Sequence, residues 1–195
     1  MEESYYAIRP PVFSGEKDTG RPRRWAESMS AEIASCDIAF PQNGLCMVTK
    51  GSPRPYKAAV EKIGVFFTRE MGFDSRPFTA SEYSNRYYRG VSDRTTDANT
   101  RSFLWYDAHD GYPGHWPTYG GCTFRLRGNL WMLGWIWIHP YQRQKGVLGR
   151  SWSFFRSMFG VFCPEPPVSD GLDRFMRKIG YFDDLKEESN RRKKS

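Results

Sequence analysis

Long apolar runs, a secretion signal and closely spaced cysteines are all missing from this chain of 195 residues. Its longest apolar run is roughly ten residues, which is too short to cross a bilayer. The N-terminal stretch MEESYYAIRPP lacks the charged and apolar regions of a signal peptide. These absences favour a cytoplasmic protein that has no membrane among its partners.

Cysteine and histidine are both scarce. The four cysteines, Cys36, Cys46, Cys122 and Cys163, are widely spaced and form no CxxC pair. Buried free thiols are therefore expected in place of disulfides or a zinc site. With three histidines in the whole chain, no metal site is predicted.

Aromatic residues and positive charge are plentiful. Hydrophobic residues make up 39% of the chain and aromatic residues 16%, which excludes disorder throughout. A chain of this length can bury one good core without being split into two domains. The formal net charge is +7, part of it in residues 191–194. A positive surface attracts cofactor phosphates, nucleic acid or acidic proteins alike, so charge alone does not select a partner.

The first half of the chain is predicted to be mainly helical. Residues 1–23 are rich in proline, glycine and charge and are interpreted as an irregular arm. Helical spacing predicts one helix over 24–36 and a second that opens near Pro53 and Pro55. The apolar face of the second helix is formed by Tyr56, Ala59, Val60, Ile63 and Phe67.

The second half is predicted to contain a three-stranded meander. Strands are predicted over 102–106, 121–126 and 130–138, with a tight turn at 127–129. The segment 107–119 is turn-rich and aromatic and is interpreted as a loop. The alternating tryptophans of the last strand favour packing on one face of that strand; they are Trp131, Trp135 and Trp137.

After the meander the pattern predicts helix, strand, helix. One apolar stripe follows Gly146 and another follows Ser169, which is a good N-cap residue, while Gly180 fits a helix stop. A short buried strand is predicted over 161–163. The stripes are formed by Leu148, Trp152, Phe155 and Phe159, and by Leu172, Phe175, Met176 and Ile179.

These elements together predict one α/β (α+β) domain. Its sheet is mixed and mostly antiparallel, and helices flank it. The domain is predicted over 24–184, and residues 185–195 are interpreted as a basic disordered tail.

The stretch from Leu130 to Trp152 contains the parts of an anion site. An apolar strand ends in Ile138-His139-Pro140, Gly146 follows, and an amphipathic helix pattern begins there. Backbone N–H groups at a helix N-terminus bind phosphate groups well. The stretch therefore predicts a site for the pyrophosphate of a nucleotide-containing cofactor.

The order and spacing of this stretch resemble the acyl-CoA-binding motif of the GCN5-related N-acetyltransferases. In that motif a basic residue or Gln is followed by two variable residues, Gly, one variable residue, and Gly or Ala. The run 143–147, RQKGV, matches it, but Leu148 occupies the last position and Gly149 comes one residue later. The resemblance covers residues 102–182 and suggests a divergent member of the superfamily.

The resemblance implies acetyl-CoA, or another acyl-CoA, as co-substrate. It implies that an amine attacks the thioester directly and that the strand over 135–139 splays from its neighbour, so that a backbone N–H polarises the thioester carbonyl. The implied cofactor-binding residues are Ile136, Trp137, Ile138, Arg143, Gln144, Lys145, Gly146, Val147, Leu148, Gly149 and Arg150.

The catalytic side chains that the resemblance implies are partly missing. In many relatives a tyrosine four residues before a Gly-aromatic pair protonates the departing thiolate. Here the pair is Gly180-Tyr181 and the matching residue is Met176, which cannot donate a proton. Ser169 is a candidate substitute, and a simple N-cap role is the alternative.

The strand of the motif also lacks the carboxylate that serves as a base in relatives. Asp107 and His109 follow a predicted strand and are candidates for managing protons at the acceptor. The alternative is that both are exposed residues of a polar loop and have no catalytic role.

Three alternative hypotheses for the function remain open. The first is an acyl-CoA-dependent N-acyltransferase acting on an amine of unknown class. The second is a related protein that modifies DNA bases, as the phage Mom proteins do, because positive charge and aromatic side chains both suit nucleic acid. The third is a non-catalytic acyl-CoA-binding module.

Overall fold

A single sheet forms the centre of the described chain. The computed structural model describes residues 12–14, 44–49, 52, 54–72, 99–106 and 115–192. Across the sheet the strand order is β2-β3-β4-β5-β6, and β1 pairs with the first residues of β4. All pairs are antiparallel except β5 with β6. The strands are β1 (Val12–Ser14), β2 (Leu45–Val48), β3 (Thr100–Tyr106), β4 (His115–Arg127), β5 (Leu130–Ile138) and β6 (Cys163–Pro164).

Helices cover both faces of this sheet. They are α1 (Arg54–Glu70), α2 (Val147–Phe159), α3 (Asp170–Lys178) and α4 (Tyr181–Arg192). The apolar stripe of α1 packs with one set of strand residues, and α2, α3 and α4 pack with the other set. Strand alternation produces the two sets: in β3, Phe103 and Trp105 face α2 and Leu104 faces α1. The predicted fold class, a mixed and mostly antiparallel sheet flanked by helices, is confirmed.

A β-bulge at Gly134 divides β5 into two halves. Thr123 pairs with Trp135 and Phe124 pairs with Leu133, so Gly134 is an extra residue on β5. Because the extra residue reverses the alternation, the tryptophans lie on opposite faces of the sheet. Trp131 packs on the α2 side, whereas Trp135 and Trp137 pack on the α1 side. The prediction that the three tryptophans share one face is therefore wrong.

Several predicted elements are confirmed where the sequence placed them. Helix α1 carries the predicted apolar stripe, β5 has the predicted bounds, and α2 begins directly after Gly146. Ser169 is the N-cap of α3, and Gly180 has a left-handed φ of 70° at the end of that helix region. The helix predicted over 24–36 lies outside the described residues.

Other boundaries differ from the prediction. Strand β1 lies inside the arm that was interpreted as irregular, and β4 begins at His115, so residues 115–119 are strand and not loop. Strand β2 was not predicted. Residues 185–192, interpreted as disordered tail, continue helix α4. Ile179 is the C-cap of α3 and is exposed, because the helix ends one residue earlier.

Two of the four cysteines confirm the prediction of buried free thiols, whereas Cys163 is partly buried and Cys36 lies outside the described residues. Cys46, Cys122 and Cys163 are free thiols, and the first two are buried. Burial raises the pKa of Cys46 to about 12 and raises that of Cys122 as well, so both are protonated and unreactive. In the described ranges, no group of three or more His, Cys, Asp or Glu side chains is placed to hold a metal. None of the described helices has both the length and the apolarity needed to cross a bilayer.

Candidate functional site

One edge of β5 has no paired strand beyond Leu133 among the described residues. Strand β6 pairs with β5 at two positions only, Met132 with Cys163 and Leu133 with Pro164. Glu165 adds one more bond by donating its N–H to the Leu133 carbonyl at 2.9 Å. Beyond Leu133, no strand in the described part of the chain pairs with this edge of β5.

The backbone groups that face the open edge follow from the pairing on the other side of β5. The His139 N–H donates to the Tyr119 carbonyl at 2.7 Å, so Trp137 also directs its N–H and C=O towards β4. By the same alternation Ile136 and Ile138 direct theirs towards the open edge. An extended ligand that carries amide groups can pair with such an edge as an added strand does.

Directly after this edge the chain forms a loop with two left-handed residues. His139 Nδ1 accepts a hydrogen bond from the Tyr141 N–H at 3.3 Å, which caps a 3₁₀ turn over Pro140–Gln142. Gln144 then has φ of 61° and Gly146 has φ of 75°. The segment 143–149, for which the sequence predicts phosphate binding, is called the phosphate loop below.

The first turn of α2, which ends this loop, has backbone N–H groups that make no hydrogen bond within the helix. Gly146 is the N-cap and supplies no side-chain hydrogen bond, and the first helical bond runs from the Arg150 N–H to the Gly146 carbonyl at 3.0 Å. The N–H groups of Val147, Leu148 and Gly149 therefore have no partner within the helix. Three such donors at the positive end of a helix dipole are suited to binding an anion.

Positive side chains border these donors. Lys145 and Arg150 are exposed, and Arg150 Nη1 donates to the Lys145 carbonyl at 2.8 Å. A Cβ added to Gly146 would lie 3.1 Å from the same Nη1 atom. Glycine thus suits this position both because φ is positive and because the guanidinium lies close to it.

Leu148 occupies the position at which the motif has Gly or Ala, and the structure shows how the loop accommodates the larger side chain. Leu148 packs against the α2-side core, as its apolar stripe predicted. Gly149 lies on the outer side, where a Cβ added to it would be 4.0 Å from the Phe175 ring. The leucine therefore supports the helix while its neighbouring backbone N–H groups remain open.

Arg143 was predicted as a cofactor-binding residue, but its guanidinium lies towards α1. Arg143 Nη2 is 2.5 Å from Glu70 Oε2, and Arg143 Nε donates to the Ile138 carbonyl at 2.8 Å. Trp137 Nε1 donates to the same Glu70 oxygen at 2.7 Å. Glu70 was missed in the sequence because 73 residues separate it from Arg143. As the last residue of an amphipathic helix it carried no local signal.

The predicted catalytic residues are not assembled by the described part of the chain. Ser169 Oγ accepts a hydrogen bond from the Leu172 N–H at 3.4 Å, as an N-cap does. Met176 is fully buried in the α2-side core. Asp107 and His109 lie outside the described residues.

Tyr181 does not replace the missing tyrosine. Its hydroxyl donates to the Phe162 carbonyl at 2.8 Å and accepts from the Phe162 N–H at 2.9 Å. Burial raises the pKa of Tyr181 to about 12. The hydroxyl therefore fixes the segment before β6 and is a poor proton donor to a thiolate.

Ser169→Ala separates capping from catalysis. Because the observed contact is a cap, the variant is expected to lose about 1 kcal/mol of unfolding free energy and little turnover per folded molecule. Urea unfolding and steady-state kinetics measure the two effects. A stably folded variant that still binds acyl-CoA but turns over roughly a hundredfold more slowly would make Ser169 a proton donor.

The described residues fit the co-substrate that the resemblance implies. The open N–H groups of α2, with Lys145 and Arg150, suit a pyrophosphate. The edge of β5 suits an extended arm with amide groups. Ile136 and Ile138 supply backbone groups to that edge, whereas the Trp137 side chain lies on the α1 side.

Comparisons with known proteins give matches in structure but not in sequence. No protein-family model and no curated protein matches the chain by sequence. The xEco2 acetyltransferase domain superimposes with a TM-score of 0.42 at 16% identity, covering 69% of this chain and 84% of that one. A ribosomal-protein-alanine N-acetyltransferase from Brucella melitensis biovar Abortus 2308 gives 0.42 at 12% identity, covering 69% and 89%.

A third solved structure is AAC(6')-Iy in complex with a bisubstrate analogue, CoA-S-monomethyl-acetylneamine. It gives a TM-score of 0.43 at 10% identity, covering 69% of this chain and 86% of that one.

Proposed function

We propose that the chain is an acyl-CoA-dependent N-acyltransferase, and specifically one that transfers an acetyl group from acetyl-CoA to an amine. The observation that supports this most is the open edge of β5 leading directly into the uncapped N-terminus of α2. An edge that pairs with amides next to an anion site suits a ligand in which an amide-containing arm is joined to a pyrophosphate.

The proposed roles divide between backbone and side chains. The N–H groups of Val147, Leu148 and Gly149 bind the pyrophosphate, with Lys145 and Arg150 adding positive charge. The backbone of Ile136 faces the arm, and its N–H polarises the thioester carbonyl as an oxyanion donor does.

The proposed reaction needs few protein side chains. The amine nitrogen bonds to the acyl carbon, the carbon–sulfur bond breaks, and CoA leaves as a thiolate. The proton that the amine loses passes to solvent or to the thiolate. Ser169, Asp107 and His109 remain the candidates for assisting these transfers. The free thiols suit a reducing compartment such as the cytoplasm.

Acyl-CoA turnover with a panel of acceptors tests the proposal. The panel contains small amines, lysine peptides, N-terminal peptides and DNA, and thiol release is measured with mass analysis of each acceptor. Turnover with at least one acceptor is expected. If the protein binds acetyl-CoA but acylates none of these acceptors, the proposed transferase activity is contradicted, and the result favours a non-catalytic acyl-CoA-binding module. Acylated nucleosides would identify a nucleic-acid acceptor.

A further inference from the structure

The last residue of α1, Glu70, contacts both β5 and the phosphate loop. Glu70 Oε2 accepts from Trp137 Nε1 at 2.7 Å and from Arg143 Nη2 at 2.5 Å. These contacts join three elements: the end of α1, the second half of β5 and the first residue of the phosphate loop. We propose that Glu70 is a positioning residue, which holds the phosphate loop onto the end of β5 by fixing the Arg143 guanidinium.

The guanidinium is suited to this role because it is planar and donates in two directions. Arg143 Nη2 donates to Glu70 while Arg143 Nε donates to the Ile138 carbonyl at 2.8 Å. The Arg143 backbone N–H also donates to the Pro140 carbonyl at 3.2 Å. The Arg143 side chain thereby joins the loop to β5, and the Arg143 backbone joins it to the 3₁₀ turn that lies between them.

This arrangement also limits the edge that a ligand can use. Of the two β5 carbonyls that face the opening, Ile138 is already bonded to Arg143. Among the described residues, the Ile136 carbonyl is the one left to an extended arm. The Arg143 side chain, which Glu70 holds in place, therefore lies between two parts of the proposed site. One is the open edge of β5 at Ile136, which would pair with an extended arm, and the other is the phosphate loop, which would bind an anion.

The position of the network argues for a geometric role over a stabilising one. The Arg143 side chain is 40% exposed and that of Glu70 is 33% exposed. Ion pairs at this exposure contribute little to folding because solvent screens them. Loss of Glu70 should therefore loosen the loop while the melting temperature changes by no more than about 4 °C.

Glu70→Gln tests the loop without any ligand. Glutamine keeps an oxygen for the Trp137 N–H but removes the charge that holds Arg143. Amide hydrogen exchange over 141–149 is expected to become several times faster, with β3 and β4 unchanged. Glu187→Gln is the matched control, because Glu187 pairs with Arg191 at 3.8 Å on α4 and both are exposed. Loop exchange that is equal in Glu70→Gln and wild type would overturn the proposal.

Acetyl-CoA binding then measures the consequence, which rests on the proposed function. We expect Glu70→Gln to raise the Kd by about tenfold, because small displacements of a binding group weaken binding strongly. If Glu70 acts through Arg143, the double variant Glu70→Gln/Arg143→Gln binds no more weakly than Arg143→Gln alone. Losses that add would contradict the positioning role. A wild-type protein that binds no acetyl-CoA would contradict the proposed function instead, and hydrogen exchange would still decide the role of Glu70.

Discussion

Gly146→Asp is expected to weaken acetyl-CoA binding by at least about 100-fold relative to Gly146→Asn, which corresponds to about 2.7 kcal/mol. Both substitutions place a Cβ at φ of 75°, 3.1 Å from Arg150 Nη1, so both carry the same backbone strain. Asn and Asp tolerate this conformation best among the residues with a side chain. They differ in one negative charge at the site proposed for the pyrophosphate, and calorimetric titration measures its effect.

The melting temperatures of the two variants provide the control. A carboxylate at a helix N-terminus interacts favourably with the helix dipole, so the aspartate variant should be at least as stable as the asparagine variant. Weaker binding therefore cannot come from unfolding. Equal Kd values for the two variants would mean that the phosphates bind away from Gly146.

Phe124→Ala is expected to lower the free energy of unfolding by about 3–5 kcal/mol. Phe124 is fully buried on the α2 side of the sheet, and its ring contacts four others. The closest ring is that of Phe159, with the centroids 4.3 Å apart. The remaining three are those of Phe103, Phe155 and Phe162. Equilibrium unfolding in urea measures the loss.

Ile179→Ala is the matched control for this core variant. Ile179 is 42% exposed, and its truncation should cost less than about 1 kcal/mol. If Phe124→Ala cost as little, Phe124 would not lie at the centre of the core, and the packing of α2 on the sheet would be wrong.

The elements that the sequence predicted well are those with a strong local pattern. Helix α1 repeats apolar residues at helical spacing, and β5 is an apolar run between a turn and His139. In both, a few neighbouring side chains determine the structure. Gly146 is a local signal of the same kind, because a glycine accommodates the positive φ found at the start of α2.

What the sequence did not predict depends on pairing between distant residues. The bulge at Gly134 moves Trp135 and Trp137 to the other face. A glycine inside a strand pattern is the one local signal of such a bulge, and only the pairing with β4 shows that it is an extra residue. The polar sequence of α4 is typical of a tail, but Tyr181 is buried and the partly buried Phe182 and Leu185 pack against the core. Such contacts stabilise a helix that its own composition would not predict.

The candidate site shows the same division. The start of α2 directly after Gly146 was predicted because the motif is contiguous, and phosphate binding by residues 143–149 stays a prediction. Glu70 and its contacts with Trp137 and Arg143 were not predicted, since the fold alone brings α1 to that end of β5. The bonding of Arg143 to Glu70 and to Ile138 likewise required the structure.

The stability of the wild-type protein with and without acetyl-CoA tests most directly whether the chain binds an acyl-CoA. Ligand at about 100 times its Kd should add about 2.7 kcal/mol, a rise in melting temperature of roughly 5–10 °C for a chain of this size. The Gly146→Asp variant should show a rise of no more than about 2 °C at the same concentration. An unchanged melting temperature of the wild-type protein at millimolar acetyl-CoA would contradict the proposal that the open edge of β5 and the N-terminus of α2 form an acyl-CoA site.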